Sequence, residues 1–322
     1  MSDINDNNDP VAYLGPEASY THQAALSLFP TRPNTLQPLP SIPSLFTALT
    51  STHTTAVVPL ENSSNGSVLP TLDALAVLSP QVTIVGDTYL PVQHALLARP
   101  LADGSTPAVG DVKRVYSHPQ AWGQCTLFLE GKLGHATRVD TDSTSAAARK
   151  VAEADPGSGV AALASGLAGA MYGLVPVERK CADRGDNETR FLVLRRRRRT
   201  GHAGTTTTTT TTTTAIPAEG GATKKTLLHF RVSPHVPGAL ADALAVFKRY
   251  GLSLTSFYTR PDPEPPTRTE TQTEAERGRG GWRYIFFVEF EAPGGVDIGP
   301  AVEELRGKTT GLRVCGSWKR SS

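Results

Sequence analysis

A polar turn that runs directly into an apolar strand is the segment of this chain best suited to chemistry. Residues 183–191 read Asp-Arg-Gly-Asp-Asn-Glu-Thr-Arg-Phe, and the apolar residues 192–194 follow. Such a turn offers hydroxyl, amide and guanidinium groups at the mouth of a strand, where the sheet holds the backbone while side chains still reach solvent. In an extended chain Thr189 and Phe191 share one face and Arg190 points to the other. The spacing therefore predicts that Thr189 faces a cleft and that Arg190 supports it.

The composition leaves room for about two domains. The chain has 322 residues and a formal net charge of +2, which is too small to argue for nucleic-acid binding. We interpret the basic run Arg195–Arg199 as a solvated strand end that enters a linker, rather than as a nucleic-acid patch. The three cysteines, Cys125, Cys181 and Cys315, lack the spacing of a disulfide framework or a zinc site.

Nothing in the sequence predicts secretion or membrane attachment. The first twenty residues are polar and acidic, without the basic start and apolar core of a secretory signal. No apolar window reaches the length that spans a bilayer. We therefore expect a soluble, cytoplasmic protein that makes no membrane contact.

Short β-like runs alternate with alanine-rich helical runs over residues 11–194. This alternation is typical of a parallel sheet covered by helices. Strands are predicted around residues 56–60, 82–85 and 112–116, and a helix that follows a Ser/Thr cluster is predicted over residues 145–152. These are the elements that must position the polar turn.

A second pattern follows a low-complexity segment. Residues 205–214 are ten threonines, and we expect residues 196–224 to be a disordered linker and residues 1–10 a disordered N-terminus. Beyond the linker the predicted order is strand, helix, strand, strand, helix, strand, which is the ferredoxin-like βαββαβ motif. The predicted elements lie near residues 228–232, 240–247, 252–259, 284–290, 300–305 and 312–317.

Five sequence blocks, taken together and in order, identify a family. The end of the turn, Asn-Glu-Thr-Arg-Phe at 187–191, resembles the NxTRF signature of prephenate dehydratases. The other four blocks are YLGPEAS at 13–19, VPLENSSNGSV at 58–68, YSHPQA at 116–121 with Gln124 and Cys125 after it, and AALAS at 161–165. One block alone would be a weak signal, whereas five in the family's order are a strong one.

The resemblance implies a fold class and a reaction. It implies an α/β catalytic domain over residues 11–195, with two lobes arranged like a type II periplasmic binding protein. The second lobe is expected at about residues 88–178, and the active site lies between the lobes. The implied enzyme is a hydro-lyase of L-phenylalanine biosynthesis that converts prephenate to phenylpyruvate, water and CO2, without a metal or cofactor.

That reaction sets demands on the site. The enzyme must bind a dianion, help a hydroxyl to leave by donating a proton, and desolvate the departing carboxylate. Thr189 is expected to assist the leaving hydroxyl as a positioned donor, because a free threonine hydroxyl is a poor acid. Asn62, Ser117 and Gln124 are expected to complete this catalytic network. Glu61 joins them either as a second proton-handling group or as a buried carboxylate that fixes a lobe.

A second set of residues is expected to bind the substrate. Its members are Ser19, Thr21, Ser63, His118, Asn187, Arg190 and Phe191. Two roles stay open at this point. His118 precedes a proline and is either a general acid or a turn residue, and Arg190 either binds a carboxylate or forms a supporting salt bridge.

The C-terminal region resembles ACT regulatory domains. Residues 236–240 (VPGAL) and 255–261 (TSFYTRP) are similar to the PGAL and TKIESRP segments of that family. The resemblance implies an ACT domain at residues 225–320, with L-phenylalanine as effector in a pocket at a subunit interface, and hence a homodimer or homotetramer. The implied effector-binding residues are Gly238, Ala239, Leu240, Tyr258, Thr259, Arg260 and Pro261.

The effector segment departs from the family in two ways. Tyr258 and Thr259 stand where the family usually has Glu-Ser, and residues 262–281 form an insertion directly after the segment. Loss of a carboxylate there would weaken the capture of an amino group.

Two other functions compete with the first. Arogenate dehydratase acts on the amino-acid analogue of the same ring and shares these sequence blocks. A non-catalytic amino-acid-sensing binding protein is a third hypothesis, because the two-lobed fold also serves binding proteins and ACT domains are regulatory. The intact turn at 187–191 argues against a pure binder, which has no need of it.

Overall fold

The computed structural model describes residues 9–197, 223–263 and 283–320. The chain forms two compact units. The first, called here the N-terminal unit, takes in the chain up to Thr71 and Thr88–Val193, and the second, called the C-terminal unit, takes in Leu72–Asp87 and the chain from Leu194 onward.

Strands and helices alternate along the N-terminal unit. Its strands are β1 (Val11–Leu14), β2 (Leu36–Leu39), β3 (Thr55–Asn62), β4 (Gly66–Ser67), β6 (Ala95–Ala98), β7 (Arg114–Ser117), β8 (Thr137–Asp140), β9 (Val160–Ala164) and β10 (Val175–Glu178). Its helices are α1 (Tyr20–Leu28), α2 (Ile42–Ser51), α4 (Pro119–Trp122), α5 (Thr126–Leu133), α6 (Thr144–Ala152) and α7 (Gly166–Met171). Three elements cross between the units, namely α3 (Leu69–Leu78), β5 (Val82–Pro91) and β11 (Glu188–Arg196).

The strands of the two lobes of the N-terminal unit belong to different sheets. In the first lobe β1 pairs in parallel with β2 and β3, and β11 lies beside β3. The second lobe contains a five-stranded sheet in the order β10-β6-β9-β7-β8. The first six residues of β3 and all four of β6 are buried, as expected for strands that helices cover on both faces. The predicted two-lobed α/β class is confirmed.

Polar caps fix where the helices of this unit begin. The side chains of Ser19, Ser143 and Ser165 accept hydrogen bonds from backbone N–H groups in the first turns of α1, α6 and α7. Ser41 and Ser44 form a reciprocal capping box at the start of α2. Helix starts are therefore well defined, which matters because several of them border the site described below.

The predicted βαββαβ order is confirmed in the C-terminal unit. Its elements are β12 (Lys224–Arg231), α8 (Ala239–Arg249), β13 (Ser253–Pro261), β14 (Tyr284–Ala292), α9 (Gly299–Lys308) and β15 (Thr310–Lys319). The strands form antiparallel pairs in the order β13-β14-β12-β15. The core contains Phe230, Phe247, Phe290 and Leu305, which join the inner faces of both helices to the sheet.

The compact units differ from the predicted domain boundary at residue 195. Residues 72–87 group with the C-terminal unit, whereas the sequence assigned them to the catalytic domain. The reason is long-range pairing: Gly316 on β15 aligns with Ile84 on β5, and a Cβ at Gly316 would collide with the Ile84 backbone. A glycine at 316 is required for this approach, a constraint that cannot be read from local periodicity.

The residues assigned to effector binding fall at two places in the C-terminal unit. Gly238 precedes α8 in the left-handed conformation, with φ +79°, and Ala239 and Leu240 open the helix. Residues 258–261 end β13. Arg260 makes a two-point ion pair with Asp73 on α3, with N–O distances of 2.6 and 2.9 Å.

Part of the predicted disorder lies outside the described residues. This holds for residues 1–8 and for 198–222 of the expected linker; most of the insertion at 262–281 also lies outside the described residues. Within the described ranges, no helix combines the length and the apolar character needed to cross a membrane.

Candidate active site

A cavity of about 560 Å³ in the N-terminal unit collects polar side chains from both lobes. The polar residues that line it are Ser19, Tyr20, Thr21, Asn62, Asn65, Ser67, His94, His118, Gln120, Gln124, Asp142, Ser143, Thr144 and Thr189. Apolar walls come from residues such as Ile42, Val68 and Phe191. A largely apolar pocket with a few convergent polar groups is the usual form of a small-molecule site.

Strand β11 presents alternate side chains to the cavity. Thr189 and Phe191 line it, whereas Arg190 is 3% exposed and does not. The guanidinium of Arg190 donates to Glu61 at 3.2 Å and lies over the ring of Tyr89. The geometry agrees with the predicted alternation and favours a supporting salt bridge over a direct substrate contact for Arg190.

Asn62 fixes the position of the Thr189 hydroxyl. Its Nδ2 donates to Oγ1 of Thr189 at 3.0 Å and to Oδ1 of Asn187 at 2.9 Å. Its Oδ1 accepts from the backbone N–H groups of Ser64 and Asn65 at 3.0 and 2.9 Å, so both ends of the amide are held. Because Thr189 accepts through its oxygen, its own proton is left for an acceptor in the cavity.

Seven of the twelve predicted catalytic and substrate-binding residues line the cavity. They are Ser19, Thr21, Asn62, His118, Gln124, Thr189 and Phe191. The other five, Glu61, Ser63, Ser117, Asn187 and Arg190, do not line it. Hydrogen bonds to other groups explain this separation.

Ser117 and Glu61 are engaged elsewhere. Ser117 is fully buried and donates to the carbonyl of Leu163 at 2.7 Å, which ties β7 to β9. Glu61 accepts from Arg190, and this pair agrees with the predicted carboxylate that fixes a lobe. The predicted place of Ser117 in the catalytic network is not supported by this geometry, whereas the lobe-fixing alternative for Glu61 is.

Asn187 and Ser63 support the turn before β11. The Asn187 side chain is 2% exposed, and its oxygen accepts from Asn62. Ser63 accepts from the backbone N–H of Glu188 at 2.9 Å. Both therefore hold the backbone that carries Thr189, a role different from the substrate binding that the sequence predicted.

His118 acts as a turn residue. Its Nδ1 accepts from the backbone N–H of Gln120 at 3.2 Å, which caps the short helix α4. The ring still lines the cavity. This contact supports the structural interpretation over general acid catalysis.

Two cavity residues were not found by sequence reasoning. His94 follows β5 and Tyr20 begins α1; the Tyr20 hydroxyl lies 3.1 Å from Nδ1 of His94, and Nε2 of His94 lies 2.7 Å from Oε1 of Gln124. Burial lowers the pKa of His94 below its ordinary value of 6.5, and the hydrogen bond with Gln124 opposes that shift. Burial raises the pKa of the Tyr20 hydroxyl, which therefore stays protonated.

Positive potential reaches the cavity from helix ends. Among the described residues that line it, none is lysine or arginine, and the one acidic residue is Asp142. However, the first residues of three helices do line it: Ser19 to Thr21 at α1, Leu69 and Pro70 at α3, and Ser143 and Thr144 at α6. Helix N-termini carry free N–H groups and a partial positive charge, and so they suit anions.

Comparison with known proteins agrees with this geometry. The family model of prephenate dehydratase matches residues 11–199. The bifunctional chorismate mutase/prephenate dehydratase of Aquifex aeolicus is 33% identical over 313 residues, which cover 97% of this chain and 74% of that protein. The enzyme of the same description from Escherichia coli K12 is 31% identical over 324 residues, covering 99% and 72%.

Solved structures show the same fold over nearly the whole chain. A prephenate dehydratase from Arthrobacter aurescens in complex with L-Phe has a TM-score of 0.74 and 26% identity, and the match covers 97% of this chain and 90% of that one. GqqA, described as a novel type of quorum quenching acylase, has a TM-score of 0.72 and 25% identity, with 97% and 98% covered. On the matches of the family model and of these relatives, the chain belongs to the prephenate dehydratase family.

Proposed function

We propose that the cavity of the N-terminal unit binds prephenate and converts it to phenylpyruvate, CO2 and water, with Thr189 as the donor to the departing hydroxyl. The observation that carries this proposal is the Asn62–Thr189 hydrogen bond at 3.0 Å on the wall of a cavity with converging helix starts. The family match over residues 11–199 supports the same proposal.

The reaction balances with one proton from solvent. The bond between the ring and its carboxylate breaks and releases CO2, and the electron pair moves through the ring to expel the hydroxyl on the far side. The hydroxyl leaves as water, and the ring becomes aromatic. No electrons enter or leave the system, so the protein must supply binding, a proton donor and a dry cavity.

Thr189 acts on the leaving oxygen through a prepared hydrogen bond. An O–H that accepts from an amide at its oxygen becomes a better donor, because hydrogen bonds in a chain polarise one another. Asn62 provides that amide and is itself held at both ends. The donor is therefore in place before charge develops on the leaving oxygen, which is the condition for efficient electrostatic stabilisation.

The substrate carboxylate that departs as CO2 is held by neutral donors. Helix starts at α1, α3 and α6 border the cavity and offer backbone N–H groups and hydroxyls, including those of Ser19 and Ser143. A cation beside the departing carboxylate would stabilise its charge in the ground state more than in the transition state, where that charge disperses. Neutral donors avoid this cost to the rate.

Turnover of purified protein with prephenate tests the reaction. We expect phenylpyruvate to form, with little or no turnover of arogenate under the same conditions. Turnover of arogenate without turnover of prephenate would assign the chain to the related dehydratase instead. Saturable binding of prephenate without either product would support a non-catalytic binding protein.

Regulation by L-phenylalanine through the C-terminal unit is the second part of the proposal. Its βαββαβ order and the VPGAL segment at α8 support an ACT domain, and the solved relative from Arthrobacter aurescens is in complex with L-Phe. ACT domains act in pairs, so we expect a homodimer or homotetramer. Assays with added phenylalanine, together with light scattering, test both points, and an unchanged rate at saturating phenylalanine would contradict the regulation.

A further inference from the structure

Three side chains from separate parts of the N-terminal unit form a hydrogen-bonded chain on the cavity wall. Tyr20 donates through its hydroxyl to the carbonyl of Gln93 at 2.7 Å and lies 3.1 Å from Nδ1 of His94. On the far side of the ring, Nε2 of His94 lies 2.7 Å from Oε1 of Gln124. All three side chains line the cavity, while His94 is only 2% exposed.

Counting donors shows which protonation state these contacts need. The carbonyl oxygen of Gln93 can only accept a hydrogen bond, so the Tyr20 hydroxyl donates its one proton to it. Towards His94, the oxygen of Tyr20 can then only accept. The amide oxygen of Gln124 also only accepts, so Nε2 of His94 must carry a proton. With both ring nitrogens as donors, every contact is satisfied, and this is the state of the imidazolium.

A neutral ring must give up one of these contacts. If the proton stays on Nε2, Tyr20 has to turn its proton from Gln93 to Nδ1. If the proton stays on Nδ1, Gln124 has to turn its amide over and donate to Nε2. In the second case the amide oxygen of Gln124, and not its NH2 group, is directed into the cavity.

We propose that His94 positions Gln124 for the reaction: a proton on Nε2 holds the amide oxygen and presents the NH2 group to the substrate, and the ring takes up a second proton when the dianion binds. This inference rests on the proposed function, since the negative charge that favours the imidazolium is that of prephenate. His94 then supplies the cavity with a positive charge that appears only when the ligand is present.

The environment of the ring supports proton uptake on binding. The Tyr20 hydroxyl on α1 contacts the ring, and the Cys125 thiol before α5 acts electrostatically on Tyr20. After β10, the backbone N–H groups of Cys181 and Asp183 donate to the carbonyls of His94 and Gln124. His118 before α4 and Asp142 before α6 line the same cavity. Burial raises the pKa of the hydroxyl and of the two cysteine thiols, which stay neutral. Asp183 already accepts from two backbone N–H groups at 2.8 and 3.0 Å.

The direction of the pH effect follows from these surroundings. Burial lowers the pKa of His94 in the free protein, so the imidazolium is lost as pH rises through that lowered value. Bound carboxylates raise the pKa in the complex. We therefore expect kcat/KM, which reports the free protein, to fall with rising pH before kcat, which reports the complex, begins to fall.

A matched pair of substitutions distinguishes a role of His94 in positioning Gln124 from a role in packing alone. In His94→Gln the amide nitrogen reaches about the place of Nε2 and can still donate to Gln124, but it does not titrate. In His94→Asn the amide nitrogen reaches about the place of Nδ1, so Tyr20 keeps a partner and Gln124 loses one. We expect His94→Asn to lower kcat by roughly tenfold to a hundredfold, the range for a hydrogen bond to a charged group, and His94→Gln to lose less.

The pH profiles complete the test. The decline of kcat/KM at rising pH should disappear in His94→Gln, while in Tyr20→Phe it should move to lower pH because Nδ1 loses its acceptor. Equal losses in His94→Gln and His94→Asn, with the wild-type pH profile retained in both and in Tyr20→Phe, would overturn the inference. Thermal unfolding of each variant shows whether it is folded, and a wild-type protein inactive with prephenate would instead refute the proposed function.

Discussion

The C-terminal unit and the cavity of the N-terminal unit handle charge in opposite ways. In the C-terminal unit, charged side chains are buried in pairs: Lys225 lies 3.5 Å from Asp87, and Arg231 lies 2.7 Å from Asp262. In the N-terminal unit, the cavity has no lysine or arginine among the described residues that line it, and its donors are neutral side chains and helix starts. Buried charge pairs hold the fold of the C-terminal unit, whereas the cavity of the N-terminal unit keeps fixed cations away from the place where a dianion is to bind.

The difference follows from what each region must do. A buried ion pair is matched within the protein and has little left to offer a ligand. A site that removes a carboxylate as CO2 must let the negative charge of that group disappear, and a fixed cation would oppose this. Neutral donors at the departing carboxylate meet this demand. The ring of His94, which gains its charge when the dianion binds, answers to the charge of the whole ligand.

Breaking the buried ion pair should have the largest effect. Lys225→Met removes the ammonium partner of Asp87, whose side chain is fully buried, and we expect a loss of about 3–5 kcal/mol in the stability of the C-terminal unit. Hydrogen exchange of the β12 and β14 amides measures this within the unit. Arg320→Met is a matched control, because its pair with Glu291 is exposed on the arginine side and should contribute less than about 1 kcal/mol. Equal losses in the two variants would contradict the distinction.

Removing the proposed donor should have the next largest effect, on activity alone. Thr189→Ala deletes the hydroxyl that accepts from Asn62, and we expect kcat to fall by about a hundredfold to a thousandfold, the range for one lost donor to a developing charge. Thr189→Ser keeps the hydroxyl and should retain most of the rate. Phenylpyruvate formation measures both. An alanine variant with near wild-type kcat would show that leaving-group assistance comes from another residue.

Features that depend on local sequence patterns could be predicted, whereas features that depend on contacts between distant residues could not. The alternation at Thr189 and Phe191 was readable because it depends on a strand period of two residues, and the βαββαβ order because each element has its own periodicity. His94 was missed because its partners, Tyr20 and Gln124, lie 74 and 30 residues away in the chain. No motif marks such a contact.

The same limit applies to residues whose surroundings depend on the pairing of distant strands. Ser117 belongs to a recognisable block, but its side-chain direction depends on the pairing of β7 with β9, and its hydroxyl is bonded to Leu163. Residues 72–87, which the sequence and the family model both include in the catalytic region, group with the C-terminal unit because Ile84 meets Gly316, a contact that nothing local shows. Residue type and block membership thus identify a site, while the register of the sheets decides which side chains reach it.

Substitution of Glu61 tests whether this carboxylate near the cavity has a structural or a catalytic role. Glu61→Gln removes the charge that Arg190 donates to at 3.2 Å, and we expect a loss of about 1–3 kcal/mol in stability, since a buried guanidinium loses a charged acceptor. The pH profile of kcat should keep its shape. If the variant has normal stability but its pH profile of kcat lacks the decline on the acidic side, Glu61 would instead be the second proton-handling group.

The smallest expected effect concerns Arg260, whose guanidinium can either form the ion pair with Asp73 or bind the carboxylate of a ligand. The paired carboxylate, Asp73, is 48% exposed, so Asp73→Asn should cost less than about 1 kcal/mol in stability. The substitution releases the guanidinium, which then becomes available to the carboxylate of phenylalanine if the end of β13 binds that effector. We therefore expect half-maximal inhibition at a lower phenylalanine concentration, whereas Asp73→Glu, which can keep the ion pair, should behave like the wild type. Because the pair competes with the ligand for the same two N–H groups, a higher phenylalanine requirement in Asp73→Asn would show that Arg260 acts through the pair and not by binding the effector.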